Sequence, residues 1–349
     1  MAGESSRGGL TSRLPDLEGA TLDGVITVLS VLMVAGLVAD LRAHATGLSF
    51  EEEGFLTTAH VFFYAMFLGI VATLLVAVHR ERRRGASLPE AVPAGYGWAV
   101  VGVAVFGTGG AADYVWHSAF GFEQGIEALV SPSHTMLAVG GALFLAAPLR
   151  AAWIREGRPA GAAVIPLVVS ATLVLTLVGM FGGFLNPLVR PYPSVEGYQT
   201  MRHGMVTLIV FPLLYVGMGL ALVRRFRPPP GCLTVVFTVP AVAISIAEFN
   251  FPLAYPALLT GIVADVLAAT WPPTPDDPTA MRVFSAAVPM TLAGTYLVMV
   301  DLSYGLAHEQ LASGFVTWSA HVLAGTVVLA GVAGLMLSYF AVPGMVDRE

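Results

Sequence analysis

Apolar runs of about twenty residues succeed one another along almost the whole chain, separated by short polar, proline-rich or arginine-rich stretches. Each run is long enough to cross roughly 30 Å of hydrocarbon as a helix. Their boundaries predict ten transmembrane helices, at 21–44, 56–79, 94–117, 132–150, 161–186, 199–223, 232–250, 252–271, 283–306 and 318–341. Pro228-Pro229-Pro230 and Pro272-Pro273-Thr274-Pro275 fall where two of these helices must stop. The expected fold is an all-α polytopic membrane protein. Its single transmembrane domain covers 21–341, with tails at 1–20 and 342–349.

Composition agrees with the pattern. Of 349 residues, 56% are hydrophobic and 11% charged, and mean hydropathy is +0.76, which leaves no room for a soluble domain between the spans. All 17 basic residues are arginines, and all but Arg42, Arg190 and Arg202 fall in the tails or in the connections after every second helix. The positive-inside rule then puts both termini in the cytoplasm and makes the chain five outward-pointing hairpins, over 21–79, 94–150, 161–223, 232–271 and 283–341. Ala43-His44-Ala45 looks like a signal-peptidase site, but the apolar run before it exceeds a usual signal core, so the first helix is expected to stay. A net charge of −6 with no basic patch gives no nucleic-acid surface. The single cysteine, Cys232, excludes an intrachain disulfide and a cysteine-rich metal site.

Polar residues are scarce, and they recur in a pattern. Asp40 and His44 are followed by His60, and Asp113 and His117 by His134: an acid, a histidine four residues on, a loop, and a histidine opening the next apolar run. Residues at i and i+4 share one face of a helix. Such groups are costly near lipid and are usually functional. His60, His134 and His203 each follow a glutamate by seven residues (Glu53, Glu127, Glu196) and a hydroxyl by three (Thr57, Ser131, Thr200), which reads as a hairpin repeat. In the fifth hairpin Asp301 precedes His321 by the same offset as Asp40 precedes His60, with His308 and Glu309 between them. Asn186 stands where the third hairpin would need its histidine.

Ser131-Pro132-Ser133-His134 reads as an N-cap, a proline in the first helical position and a histidine in the third. The positive end of the helix dipole disfavours imidazolium there, so the ring stays neutral and able to bind a cation. Each of the first two hairpins thus brings one carboxylate and two imidazoles to the outer boundary, a donor set that suits copper, zinc or non-haem iron. Metal ligands are expected at Asp40, His44, His60, Asp113, His117 and His134. Glu53, Glu196, His203, Asp301, His308 and His321 are further candidates. Phe122–Val130 reads as a short interfacial helix carrying Glu123 and Glu127 at i and i+4, candidates for general bases or for acceptors to the ligand imidazoles. His79 sits among arginines as an interfacial residue, Asp265 is a candidate for a proton or ion pathway, and the glycines of helices 3 and 4 are close-packing positions without a dinucleotide-binding context.

The Asp-x3-His segment followed by a histidine opening the next helix resembles the metal-binding signature of the third membrane subunit of the copper membrane monooxygenases, which oxidise methane and ammonia. The likeness rests on Asp40, His44 and His60 and on Asp113, His117 and His134, within the first two hairpins. Both units begin with Asp, where the family's second begins with Asn. The resemblance implies copper at the outer face and an oxidoreductase subunit acting on a small or membrane-dissolved substrate, with electrons from a quinol or from other membrane subunits. The alternatives are a zinc-dependent membrane hydrolase, a metal-ion or proton transporter or channel, and a subunit that only holds metal for assembly; the polar residues concentrate at the outer end, with Asp265 nearly the only deep charge, which favours a fixed site over a transporter.

Overall fold

The computed structural model describes residues 19–46, 57–121, 127–192, 198–274, 276–304 and 318–341, which are helical and connecting segments without a strand among them. The helices are α1 Ala20–Ala45, α2 Thr58–Arg83, α3 Gly97–Phe120, α4 Glu127–Val130, α5 Pro132–Leu145, α6 Ala147–Ile154, α7 Val164–Phe181, α8 Tyr198–Val210, α9 Pro212–Phe226, α10 Cys232–Glu248, α11 Tyr255–Thr270, α12 Pro278–Tyr304 and α13 Ala320–Ala341. In lipid, only structures that satisfy their own backbone hydrogen bonds can span, and helices do so within one segment. Nine spans among the described residues are long and apolar enough, with α5–α6 and α8–α9 each counting as one. The chain is a multi-pass membrane protein. The remaining predicted helix, 232–250, is α10, which at 17 residues is shorter than expected because Phe249 turns into the left-handed region and ends it.

Four of the five expected hairpins are close pairs, α1 with α2, α3 with α5, α10 with α11, and α12 with α13, and α11 also packs closely on α12. The third expected hairpin is not a close pair. α7 packs against α10, α5 and α1, while α8 and α9 pack against α12 and α13. The reason is that α7 is apolar around its circumference, burying Leu167, Ala171, Leu175 and Leu177 among others, so it takes the central position. Two hydrophobic clusters share it, one built mainly on α1–α7 and one on α7–α13.

Small residues set the closest approaches. On α3, Gly102, Phe106, Gly109, Asp113 and His117 form one stripe, spaced by three and four residues. It faces a stripe of Ser133, Leu137, Gly140 and Phe144 on α5. A Cβ on Gly140 would lie 2.5 Å from the Phe106 amide nitrogen, and one on Gly109 would lie 3.1 Å from that of Leu137. This contact fixes the depth at which α3 and α5 meet near their polar ends. In α12, Pro289 withholds the N–H that the Ser285 carbonyl would otherwise accept, and Gly334 brings the α13 backbone directly against that carbonyl.

Candidate metal centre

Asp113 lies on the buried face of α3, 3% exposed, and His117 one turn further on projects from the same face. Across the pair, Ser131 caps α5 and accepts from the His134 N–H, with Pro132 in the first turn, as the sequence predicts. This cap brings His134 to Asp113. The Nε2 atoms of His117 and His134 lie 3.4 and 3.6 Å from Asp113 Oδ1. Among the described residues these three form the one group of His, Cys, Asp and Glu whose ligand atoms all lie within 4.8 Å of one another. Two donors on a tetrahedral ion at 2.0–2.2 Å stand about 3.3–3.6 Å apart, so the observed separations fit a shared metal ion.

The outer hydrogen bonds direct the donors inward. His117 Nδ1 lies 3.2 Å from the Gly121 carbonyl, which can only accept, so the proton belongs on Nδ1 and the Nε2 lone pair faces Asp113. His134 Nδ1 is 2.9 Å from Ser131 Oγ, Ser131 Oγ is 3.2 Å from Ser133 Oγ, and Ser133 donates to Asp113 Oδ1 at 2.9 Å. Every donor in this chain is used when it runs from His134 through the two serines to the carboxylate. Three acceptors then converge on one point. That arrangement calls for a cation or a shared proton, and the fixed orientation of both rings is the support that metal-ligating imidazoles receive. The cluster can hold a metal ion.

The first hairpin repeats part of this geometry. Thr57 caps α2 and accepts from the His60 N–H at 3.1 Å, and His60 Nε2 lies 3.4 Å from Asp40 Oδ2, both residues buried. A Cβ on Gly36, one turn before Asp40, would lie 3.0 Å from Phe63 Cβ, so this glycine admits α2 just as Gly109, one turn before Asp113, admits α5. The side chains of His44 and Glu127 lie outside the described set, as do Glu53, Glu123, Glu196, His308 and Glu309 altogether. Only Glu127–Val130 of the expected interfacial helix is described, and it is one helical turn.

Other candidates take different positions. His203 lies on α8 with Nε2 2.5 Å from the Phe184 carbonyl and its ring against Tyr192. Thr200 falls inside α8 rather than capping it. Asn186 donates to the Gly179 carbonyl and accepts from the Leu188 N–H, which shapes the turn after α7. Asp301 near the end of α12 and His321 at the start of α13 are both exposed and outside the close group. Asp265 accepts from Leu233 N–H, Thr234 N–H and Thr234 Oγ1 at 3.2, 2.9 and 2.6 Å, so this acid caps α10 from the neighbouring helix. His79 accepts from Arg83 within α2.

A cavity of about 50 Å³ opens beside the cluster, lined by Asp113 and His134, by Asp40 and His60, by Tyr64, and by apolar side chains of α1, α2, α3, α5 and α7. Sequence reasoning missed Ser133 and Tyr64, because their partners lie across helix pairs and leave no spacing signal. No family model, curated protein or solved structure matches the chain. What fold and site define is a class: a multi-pass membrane protein with a buried Asp/His group able to hold a metal ion.

Proposed function

We propose that this chain is a membrane metalloprotein of ten crossings, with both termini cytoplasmic and the Asp113–His117–His134 site at the extracytoplasmic end. Its metal is a transition metal, copper by preference, and its work is oxidoreductase chemistry on a small or membrane-dissolved substrate. The observation that carries this reading is the convergence of two imidazole Nε2 atoms on one carboxylate oxygen, at 3.4 and 3.6 Å. Two imidazoles and a carboxylate leave positions open for a further ligand, and all three candidate metals accept that set.

A bound copper or iron supplies Lewis acidity and a one-electron couple, and zinc the first alone. The residues do the rest. Asp113 supplies the negative charge, Ser133 fixes the carboxylate, and the Gly121 carbonyl and Ser131 fix the two rings. The apolar wall limits water around them. Electrons would come from a quinol or a partner subunit.

The ten-crossing topology draws support from α10. At its start Leu233 and Thr234 bind Asp265 near the end of α11, and at its end the Ile246 carbonyl accepts from Arg42 at the end of α1, 2.6 Å away. It therefore runs the length of the bundle. At 1.5 Å per residue its helix is about 25 Å long, at the short end of what spans a bilayer. Opposite the site, Asp23 in the first turn of α1 pairs with Arg155 and accepts from the Tyr96 hydroxyl, which puts the arginine-rich connections at the other end.

Electron paramagnetic resonance of the copper(II)-loaded protein tests the assignment. Hyperfine coupling to two imidazole nitrogens is expected, falling to one in His117→Ala and in His134→Ala. A spectrum unchanged by both substitutions contradicts it, and a protein that takes up zinc but not copper moves the chemistry to hydrolysis.

A further inference from the structure

We propose that the Asp40–His60 and Asp113–His117–His134 sets serve a single ligand chamber, and that the Tyr64 hydroxyl positions the ligand between them. The inference deepens the metal reading above and rests on it for the Asp113 set.

One cavity, not two, is lined by Asp40, His60, Asp113 and His134, and Tyr64 lines it as well. Tyr64 follows His60 by one turn of α2, so both side chains leave the helix on the same side. Its ring is held by Phe63, 4.4 Å away centroid to centroid, and by the edge of Phe106 at 6.5 Å. Its hydroxyl reaches Gly110 on α3, where a Cβ would sit 3.0 Å from the oxygen, so any larger residue would displace it. Tyr64 thus stands between the two sets, on a ring too well packed to swing away.

The chamber restricts what it takes. Its volume of about 50 Å³ corresponds to roughly three to five water-sized positions at about 10–15 Å³ each. The ligand therefore has about five heavy atoms at most. Two carboxylates on the lining disfavour a free anion, while Met33, Leu137, Leu177 and Phe181 supply apolar wall. A neutral diatomic or triatomic molecule with an acceptor atom for the Tyr64 hydroxyl, such as dioxygen, meets all three conditions.

Carbon monoxide on the copper(I)-loaded protein is the probe, read by infrared spectroscopy beside a copper assay of each variant. The band of the Asp113 set is the one that His134→Ala abolishes. Tyr64→Phe, which keeps the ring and removes only the hydroxyl, is expected to shift that band without changing copper content. Asp40→Asn, a near-isosteric change in the other set, is expected to shift it too. A copper-loaded protein whose band ignores both substitutions overturns the shared chamber and leaves the metal reading standing. Wild type that takes up no copper overturns the copper assignment, and this inference with it.

Discussion

At the scale of single residues, Asp113 bears the most weight, because it is buried, accepts from Ser133 and meets two imidazoles through the same oxygen. Removing a supporting partner of a metal ligand typically costs 10–100-fold in affinity. Ser133→Ala is therefore expected to weaken metal binding by roughly that factor while Asp113→Asn nearly abolishes it, measured by competition with a chelator of known affinity. Equal losses in the two variants would mean that Ser133 does more than orient the carboxylate. The members of this set were legible in the sequence because they repeat with fixed spacing in a chain with few polar residues. His203 shares the spacing and is used otherwise, as a donor to a turn carbonyl, since the neighbouring Asn186 is spent on the backbone of that turn. Spacing identifies candidates, and the tertiary partner decides among them.

At the scale of helices, the α3–α5 contact determines whether Asp113 and His134 meet. Gly140→Ala places a methyl against the Phe106 backbone and must push the helices apart, at a cost of about 1–3 kcal/mol, with metal affinity falling alongside. Gly217→Ala on α9 meets nothing within 4 Å and is expected to be neutral or slightly stabilising in thermal unfolding in detergent. If both variants behave alike, close packing does not hold the site together. Asp277 before α12 offers a pH test at the other end of the molecule. The Ala280 N–H, and then the Trp271 indole N–H, hold its carboxyl below the usual 3.8. The stabilisation it contributes is present above that value and is lost as pH falls through the lower folded one. The stability difference between wild type and Asp277→Ala is thus expected to shrink on acidification, and a difference growing toward low pH would contradict the cap. Helix positions were legible from apolar runs because each run is long and sharply ended. The central place of α7 was not, because a helix apolar all round names no neighbour.

At the scale of the whole molecule, the proposed orientation rests on the arginine distribution. Ser118 near the site and Arg158 beyond α6 are both exposed. In a Cys232→Ser background, a membrane-impermeant maleimide is expected to label Ser118→Cys in intact cells and Arg158→Cys only after permeabilisation, and the opposite pattern would invert the topology. The alternation of arginine-rich connections is the basis on which this orientation is proposed, whereas the meeting of the first two hairpins around one cavity depends on packing through Phe106 and α7 that no periodicity encodes. Central to every scale is that Asp113, His117 and His134 hold a metal ion, and metal content per chain tests this most directly. Elemental analysis of the purified protein is expected to find stoichiometric transition metal in wild type and a loss of at least the Asp113-set metal in Asp113→Asn, His117→Ala and His134→Ala variants that remain folded. A folded wild type without metal, or variants that keep their full complement, would contradict the account.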